Sequence, residues 1–352
     1  MPSNHRDIAL DALLHPFAEG ALRWSADALF LRAREGAALH ARGGLQSLAC
    51  TQPFKPEADR LQRIGATLIE EDAVPAARYP LVLVLPPRQR EEARALLAKA
   101  CMAVAPGGIV VASVANDEGA KSREADLKQL AGTVTTLSKH HCRVSWTRPD
   151  ATFDAATLAQ WAKADAPRRV ISPNVPGGSF MSRPGVFAWD RVDAASAMLA
   201  AALPDDLHGR VADFGAGWGY LSMQVLARCP KVASLDLYEA DARALALAGE
   251  NLADARVPVH RHWHDVGAGV PERFDAIVCN PPFHALGRGD RPDIGRAFIA
   301  AAANALKPGG RLWLVANRHL PYEHALGEGF PQVETLAQNG GFKIVEATKV
   351  AR

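Results

Sequence analysis

The sequence is poor in cysteine. Five thiols in 352 residues, at positions 50, 101, 142, 229 and 279, form no Cys-x-x-Cys pair and no Cys/His spacing of a zinc site. A scattered, odd-numbered set in a chain of this size fits reduced thiols and a cytoplasmic address, with no metal expected. A dominant charge sign is equally missing: 40 basic against 38 acidic residues leave a net charge of +2. Nucleic-acid binding must then rest on a local basic patch and not on a global field. No uncharged apolar run reaches the ~18 residues of a membrane span. Residues 1–10 carry charges where a signal peptide would be apolar, so no membrane partner is expected. Gly-x-Ser-x-Gly, Walker and His-Glu-x-x-His motifs are absent too, which removes the corresponding hydrolase, nucleotidase and metalloprotease chemistries.

What is present is apolar residue, 48% of the chain, enough for two cores at the usual ~100–200 residues per domain. The second half alternates strand and helix patterns. Strands are predicted at 210–214, 233–238, 257–263, 274–279, 311–315 and 342–348, with helices at 220–228, 241–253 and 294–306. Such alternation predicts a parallel sheet with helices on both faces. Laid on the second half, the first half repeats it. Pro106-Gly107-Gly108 before an apolar run matches Pro308-Gly309-Gly310; Val82 to Pro87 matches Ile277 to Pro282; and Cys142-Arg143-Val144 matches Phe342-Lys343-Ile344. Three matches in order at nearly one offset read as an internal duplication. The first copy has no glycine-rich loop, and Leu85 stands where the second has Asn280. The expected domains are 1–165, a degenerate copy; 166–185, a turn-rich linker hairpin; and 186–352, the chemically competent copy.

The residues that carry chemistry lie in that second copy. Asp213-Phe214-Gly215-Ala216-Gly217-Trp218-Gly219 follows a strand and opens a helix. Glycines permit a sharp turn and close approach of a ligand, and the helix start offers free N–H groups. Glu239, twenty residues beyond Gly219 at the next strand end, is placed to take ribose hydroxyls, better than nearby Asp236. Asp265, after the third strand, is placed to accept from an adenine amino group. His262, His264 and Asp265 also suggest metal ligands, but no further ligand spacing completes a metal site. Asn280-Pro281-Pro282-Phe283 ends the fourth strand, at the carboxyl edge where open α/β sheets bind ligands. An exocyclic amine on an aromatic ring is a poor nucleophile because its lone pair is delocalised. The Asn280 side-chain oxygen and the Pro281 carbonyl can hold its two N–H groups and aim the lone pair at a methyl sulfonium. Phe283 can stack on the base. These residues predict transfer of a methyl group from S-adenosylmethionine to an exocyclic nitrogen.

Pro184-Gly185-Val186-Phe187, the glycine loop, Asn280-Pro281-Pro282-Phe283-His284 and Val315-Ala316-Asn317-Arg318-His319-Leu320-Pro321-Tyr322 together resemble the tandem-domain bacterial ribosomal RNA guanine-N2 methyltransferases. The resemblance is greatest to their small-subunit (16S) methyltransferase C family, with the large-subunit enzymes as near neighbours. It implies two tandem Rossmann-like class I methyltransferase domains, the N-terminal one degenerate and serving RNA binding and support. It implies S-adenosyl-L-methionine as cofactor, held by Asp213, Gly215, Ala216, Gly217, Gly219, Glu239, Asp265 and Asn280. Phe187 and Asp193 fall in a segment that covers it, and Asn280, Pro281, Pro282 and Phe283 form the catalytic tetrapeptide. The implied substrate is a guanine N2 of 16S rRNA in the assembled 30S subunit, the implied protein a cytoplasmic monomer. Alternatives are a 23S rRNA enzyme, a DNA adenine or protein glutamine N-methyltransferase, and a non-enzymatic ribosome-assembly factor.

Overall fold

The computed structural model describes residues 7–25, 27–282, 292–320 and 322–350. The chain divides into two compact units, Met1–Ala166 and Pro167–Arg352. In the first, strands β1 (Ala28–Leu31), β2 (Ala49–Thr51), β3 (Thr67–Leu68), β4 (Tyr79–Val84), β5 (Val104–Ala115), β6 (Val134–Lys139) and β7 (Cys142–Thr147) form one sheet in the order β3-β2-β1-β4-β5-β7-β6. The second opens with a hairpin, β8 (Arg168–Ile171) and β9 (Ser179–Ser182). Its main sheet comprises β10 (His208–Phe214), β11 (Lys231–Glu239), β12 (Val259–Trp263), β13 (Phe274–Cys279), β14 (Leu306–Asn317), β15 (Gln332–Asn339) and β16 (Phe342–Thr348). The order, β12-β11-β10-β13-β14-β16-β15, is the first unit's order again.

Each sheet is mixed where the alternation predicted a parallel one. Five strands are parallel, and the last two fold back as an antiparallel pair on one edge. The cause is a two-residue turn. Gly340 and Gly341 take positive φ, as do His140 and His141 in the first unit, and such turns return a chain antiparallel. The Pro-Gly-Gly segments, expected to lie before the fifth strands, are part of them, at the cost of a register shift opposite Asp275 and Pro80. The central strands are apolar on both faces, as a covered parallel sheet requires. In the second unit Val211, Leu237 and Val278 pack on one face against Leu199, Leu221 and Ala248. Ala212, Phe214 and Ile277 pack on the other against Phe298 and Ile299.

Strand register makes the duplication residue-specific. Leu31 pairs with Val84, and Phe214 with Cys279, at the ends of equivalent strands. One residue further on, Arg32 stands where Gly215 stands, and Leu85 where Asn280 stands. The turn itself is kept: Ala33 N donates to Thr51 O (3.1 Å) as Ala216 N donates to Tyr238 O (3.1 Å). Arg32 holds φ 56° where Gly215 holds 78°, a left-handed conformation unusual for a side-chain-bearing residue. Its guanidinium is ion-paired with Glu92 (3.0 Å) and Glu71 (3.4 Å) and is only 12% exposed.

The segment 166–185, read as a linker, belongs almost entirely to the second unit and is clamped to it. Phe180 lies face to face on Trp218, centroids 3.8 Å apart. Asn251 Oδ1 accepts from Met181 N (2.6 Å), while its Nδ2 donates to Met181 O (3.0 Å) and Trp218 O (2.8 Å). Trp218 is in the glycine loop, so the hairpin braces that loop from behind.

Candidate active site

β10 delivers the chain to the glycine loop at Phe214. Gly215, Gly217 and Gly219 all adopt positive φ, and the helix Tyr220–Arg228 begins directly after them. At Gly217 a Cβ would meet no atom within 4 Å. Glycine there serves the backbone conformation, and the space above it is open to a ligand. Asp213, expected among the cofactor contacts, turns inward instead. Its side chain is sealed from solvent, and Oδ2 accepts from Ser222 N (3.1 Å) and Ser222 Oγ (2.7 Å). It fastens the helix start to the strand end, and burial pushes its pKa up to about 6. Its support of the site passes through the loop's shape.

Glu239 ends β11 and touches the loop directly. Oε2 accepts from Gly217 N (2.7 Å) and Oε1 from Asp241 N (2.8 Å). Burial raises its pKa to about 7 in spite of these two donors. Asp265 lies just beyond β12, where Oδ1 accepts from Gly267 N (2.9 Å) and caps a short turn. The strand ends are laced together: His264 N donates to Glu239 O (3.0 Å), and Trp263 Nε1 to Ala240 O (2.9 Å). His262 is engaged elsewhere, 2.9 Å from buried Asp236, which also takes both nitrogens of an Arg210 fork. Among the described residues no group of three or more His, Cys, Asp or Glu side chains could hold a metal.

Asn280 lies one residue past the end of β13. Its Nδ2 donates to Asp193 Oδ2 (3.1 Å) and Ser196 Oγ (2.8 Å). Both partners come from the start of the helix Ala194–Ala202, of which Asp193 is the N-cap. One cavity is lined by Asn280, Gly215 to Trp218, Asp193, Ser196 and Phe187. Phe187 stands at its rim, 67% exposed. Pro281 is buried and Pro282 exposed, and their rings restrict the backbone that follows Asn280. Phe283 lies outside the described residues. Glu239 and Asp265 do not line this cavity but end neighbouring strands along the same sheet edge. The strand order puts Asp265, Glu239, Gly215 and Asn280 at successive carboxyl ends. Three strand spacings make this row about 14 Å long. That suits an elongated ligand with a diol beside Glu239 and its reactive end beside Asn280.

Sequence reasoning missed Ser196, Asn251 and Phe180. Asp193 and Ser196 carry a detectable signal, an N-cap acid with serine three residues on before an apolar run. The pairing of Phe180 and Asn251 with Trp218 carries none, because it joins segments far apart in the chain.

Comparison with known proteins gives a consistent result. The methyltransferase small domain family matches residues 177–346. A ribosomal RNA small subunit methyltransferase C of Psychromonas ingrahamii is 30% identical over 269 residues, covering 76% of this chain and 75% of the relative. The protein of that name from Erwinia tasmaniensis is 31% identical over 265 residues, covering 75% and 74%. Among solved structures, the T. thermophilus 16S rRNA N2 methyltransferase in complex with AdoMet and guanosine superposes with a TM-score of 0.83. That match covers 99% of this chain and 93% of the other at 24% identity, and it shows the shared two-unit fold.

Proposed function

The chain belongs to the ribosomal RNA small subunit methyltransferase C family, and from that premise we propose that it methylates the exocyclic N2 of a guanine in 16S rRNA. S-adenosylmethionine is its cofactor. The observation that carries the reading is the placement of Asn280 in the same cavity as the glycine loop, which sets an amine acceptor beside the place where a methyl donor fits.

The residues suit that donor in their chemistry. The N–H groups at the start of the helix Tyr220–Arg228 face carboxylate well, the Glu239 carboxylate suits a ribose diol, and Asp265 suits an amino-bearing ring. The cofactor supplies an electrophilic methyl group on a sulfonium. The chain's own task is to present the nucleophile. Asn280 Oδ1 and the Pro281 carbonyl each accept one N–H of the guanine amine, which draws its lone pair out of conjugation and fixes its direction. The buried Pro281 ring keeps the second acceptor in place. Phe187, an exposed aromatic at the rim, is placed to lie against a cofactor bound in the cavity.

The first unit holds RNA and supports the second. Cofactor chemistry in it is opposed by Arg32, ion-paired where a loop glycine would stand, and by Leu85 in place of the acceptor amide. The assembled 30S subunit is the favoured substrate, with the protein acting as a cytoplasmic monomer. No helix among the described residues is long and apolar enough to cross a membrane. The test is incubation of the protein with labelled cofactor and separated 30S subunits, 50S subunits, naked rRNA, duplex DNA or protein. Mass spectrometry then locates the label. N2-methylguanine in 16S rRNA from 30S particles is expected. Label confined to 23S rRNA, adenine or glutamine would transfer the reading to one of the other amine substrates.

A further inference from the structure

A carboxamide has two ends, and only its oxygen can accept an amine's N–H. Rotation about the last side-chain torsion exchanges the ends unless neighbours choose between them. At Asn280 the neighbours are a carboxylate and a hydroxyl. Asp193 Oδ2 is 3.1 Å and Ser196 Oγ 2.8 Å from Nδ2. An ionised carboxylate only accepts, so a flipped amide would set two oxygens against each other at that distance. The carboxylate is itself fixed, because Ser196 N donates to the same Asp193 Oδ2 at 2.9 Å as the helix cap. With Nδ2 committed to this pair, Oδ1 diverges from it. All three side chains line the glycine-loop cavity.

We propose that Asp193 and Ser196 are positioning residues that lock the Asn280 carboxamide with its oxygen toward the amine to be methylated. The proposal rests on the reading of Asn280 as an amine acceptor and deepens it. Asp193 and Ser196 act through Asn280 and touch no reacting atom in this role. A rival role for Asp193 is electrostatic attraction of a cationic cofactor. The two roles separate at Asp193→Asn. One oxygen of Asp193 makes both contacts, so an amide oxygen can replace it, whereas a charge is lost.

The experiment measures kcat on 30S subunits at saturating cofactor, cofactor Kd by calorimetry, and Tm, all on the full chain. Ser196→Ala is expected to lower kcat about 5-fold and Asp193→Ala about 20-fold, with cofactor Kd within about twofold of wild type. Asp193→Ser retains a good helix cap and hence Tm, yet is expected to be as slow as Asp193→Ala. Asp193→Asn is expected to recover kcat at least about fivefold over Asp193→Ala. Wild-type kcat in Asp193→Ala and Ser196→Ala, alongside an inactive Asn280→Ala, would overturn the proposal. So would an Asp193→Asn variant as slow as Asp193→Ala with weakened cofactor binding. Full transfer by Asn280→Ala is a different failure, because it removes the amine-acceptor reading on which the proposal stands.

Discussion

Glu239 makes cofactor affinity depend on pH in a calculable way. The carboxylate accepts from Gly217 N at 2.7 Å and Asp241 N at 2.8 Å, and burial still raises its pKa to about 7. A ribose diol donates to the ionised form. The protonated acid has one oxygen fewer to offer and competes as a donor. If only the ionised form binds well, the apparent Kd scales as one plus the ratio of protonated to ionised enzyme. With a pKa near 7, affinity should fall about tenfold between pH 8 and pH 6. The linkage has a second face. A carboxyl whose folded pKa is raised contributes stability that is full below its unfolded value and is lost as pH rises through the folded value. The ligand-free protein should therefore lose stability between roughly pH 4.5 and 7 on account of Glu239, and cofactor should restore it. Asp213, raised to about 6, acts in the same direction about a unit lower. The assay is calorimetric titration of S-adenosylmethionine at three pH values, with Glu239→Gln as reference. The variant binds weakly but removes this group's titration, and subtracting its profile also removes protonation of the ligand. A wild-type profile parallel to that of Glu239→Gln would refute the assignment of Glu239 as the diol acceptor.

Three further predictions concern the frame of the site. Gly295 lies inside the helix Pro292–Ala305, where glycine to alanine ordinarily gains up to about 1 kcal/mol. Here the new Cβ would run into the Tyr322 phenol, so Gly295→Ala should instead destabilise by about 1–3 kcal/mol in urea unfolding, as overpacking does. Asn251→Ala removes the links from Met181 and Trp218 and should raise cofactor Kd about tenfold by loosening the glycine loop, as well as lowering Tm. Arg32→Gly relieves a left-handed arginine but takes the guanidinium from Glu92, whose side chain is 4% exposed. Net destabilisation of about 1–3 kcal/mol is expected, and calorimetry should still find one cofactor per chain.

The parts of the fold written in apolar runs were legible in the sequence. Phe274–Cys279 and Tyr79–Val84 are buried almost throughout, and continuous apolar runs with Pro-Gly-Gly signals are what exposed the duplication. β15 was not read, because Gln332–Asn339 lies almost wholly exposed and carries no apolar alternation. β3 is two residues long and leaves no periodic trace. The glycine loop and Asn280 were legible because their chemistry sits in contiguous residues. The inward turn of Asp213 was not, since a strand-end acid reads alike whether it faces ligand or Ser222. The clamp on the 166–185 segment was hidden for another reason: proline and glycine content signals turns but says nothing of what a hairpin packs against, and Phe180 finds Trp218 only once both are folded.

The most direct measurement is single-turnover methyl transfer by Asn280→Ala at saturating S-adenosylmethionine, with cofactor affinity taken on the same preparation. Loss of a fixed acceptor for the attacking amine predicts a rate about 100- to 1000-fold below wild type, with cofactor Kd changed by less than about threefold. Transfer at the wild-type rate, or a slow rate explained wholly by lost cofactor binding, would contradict the account.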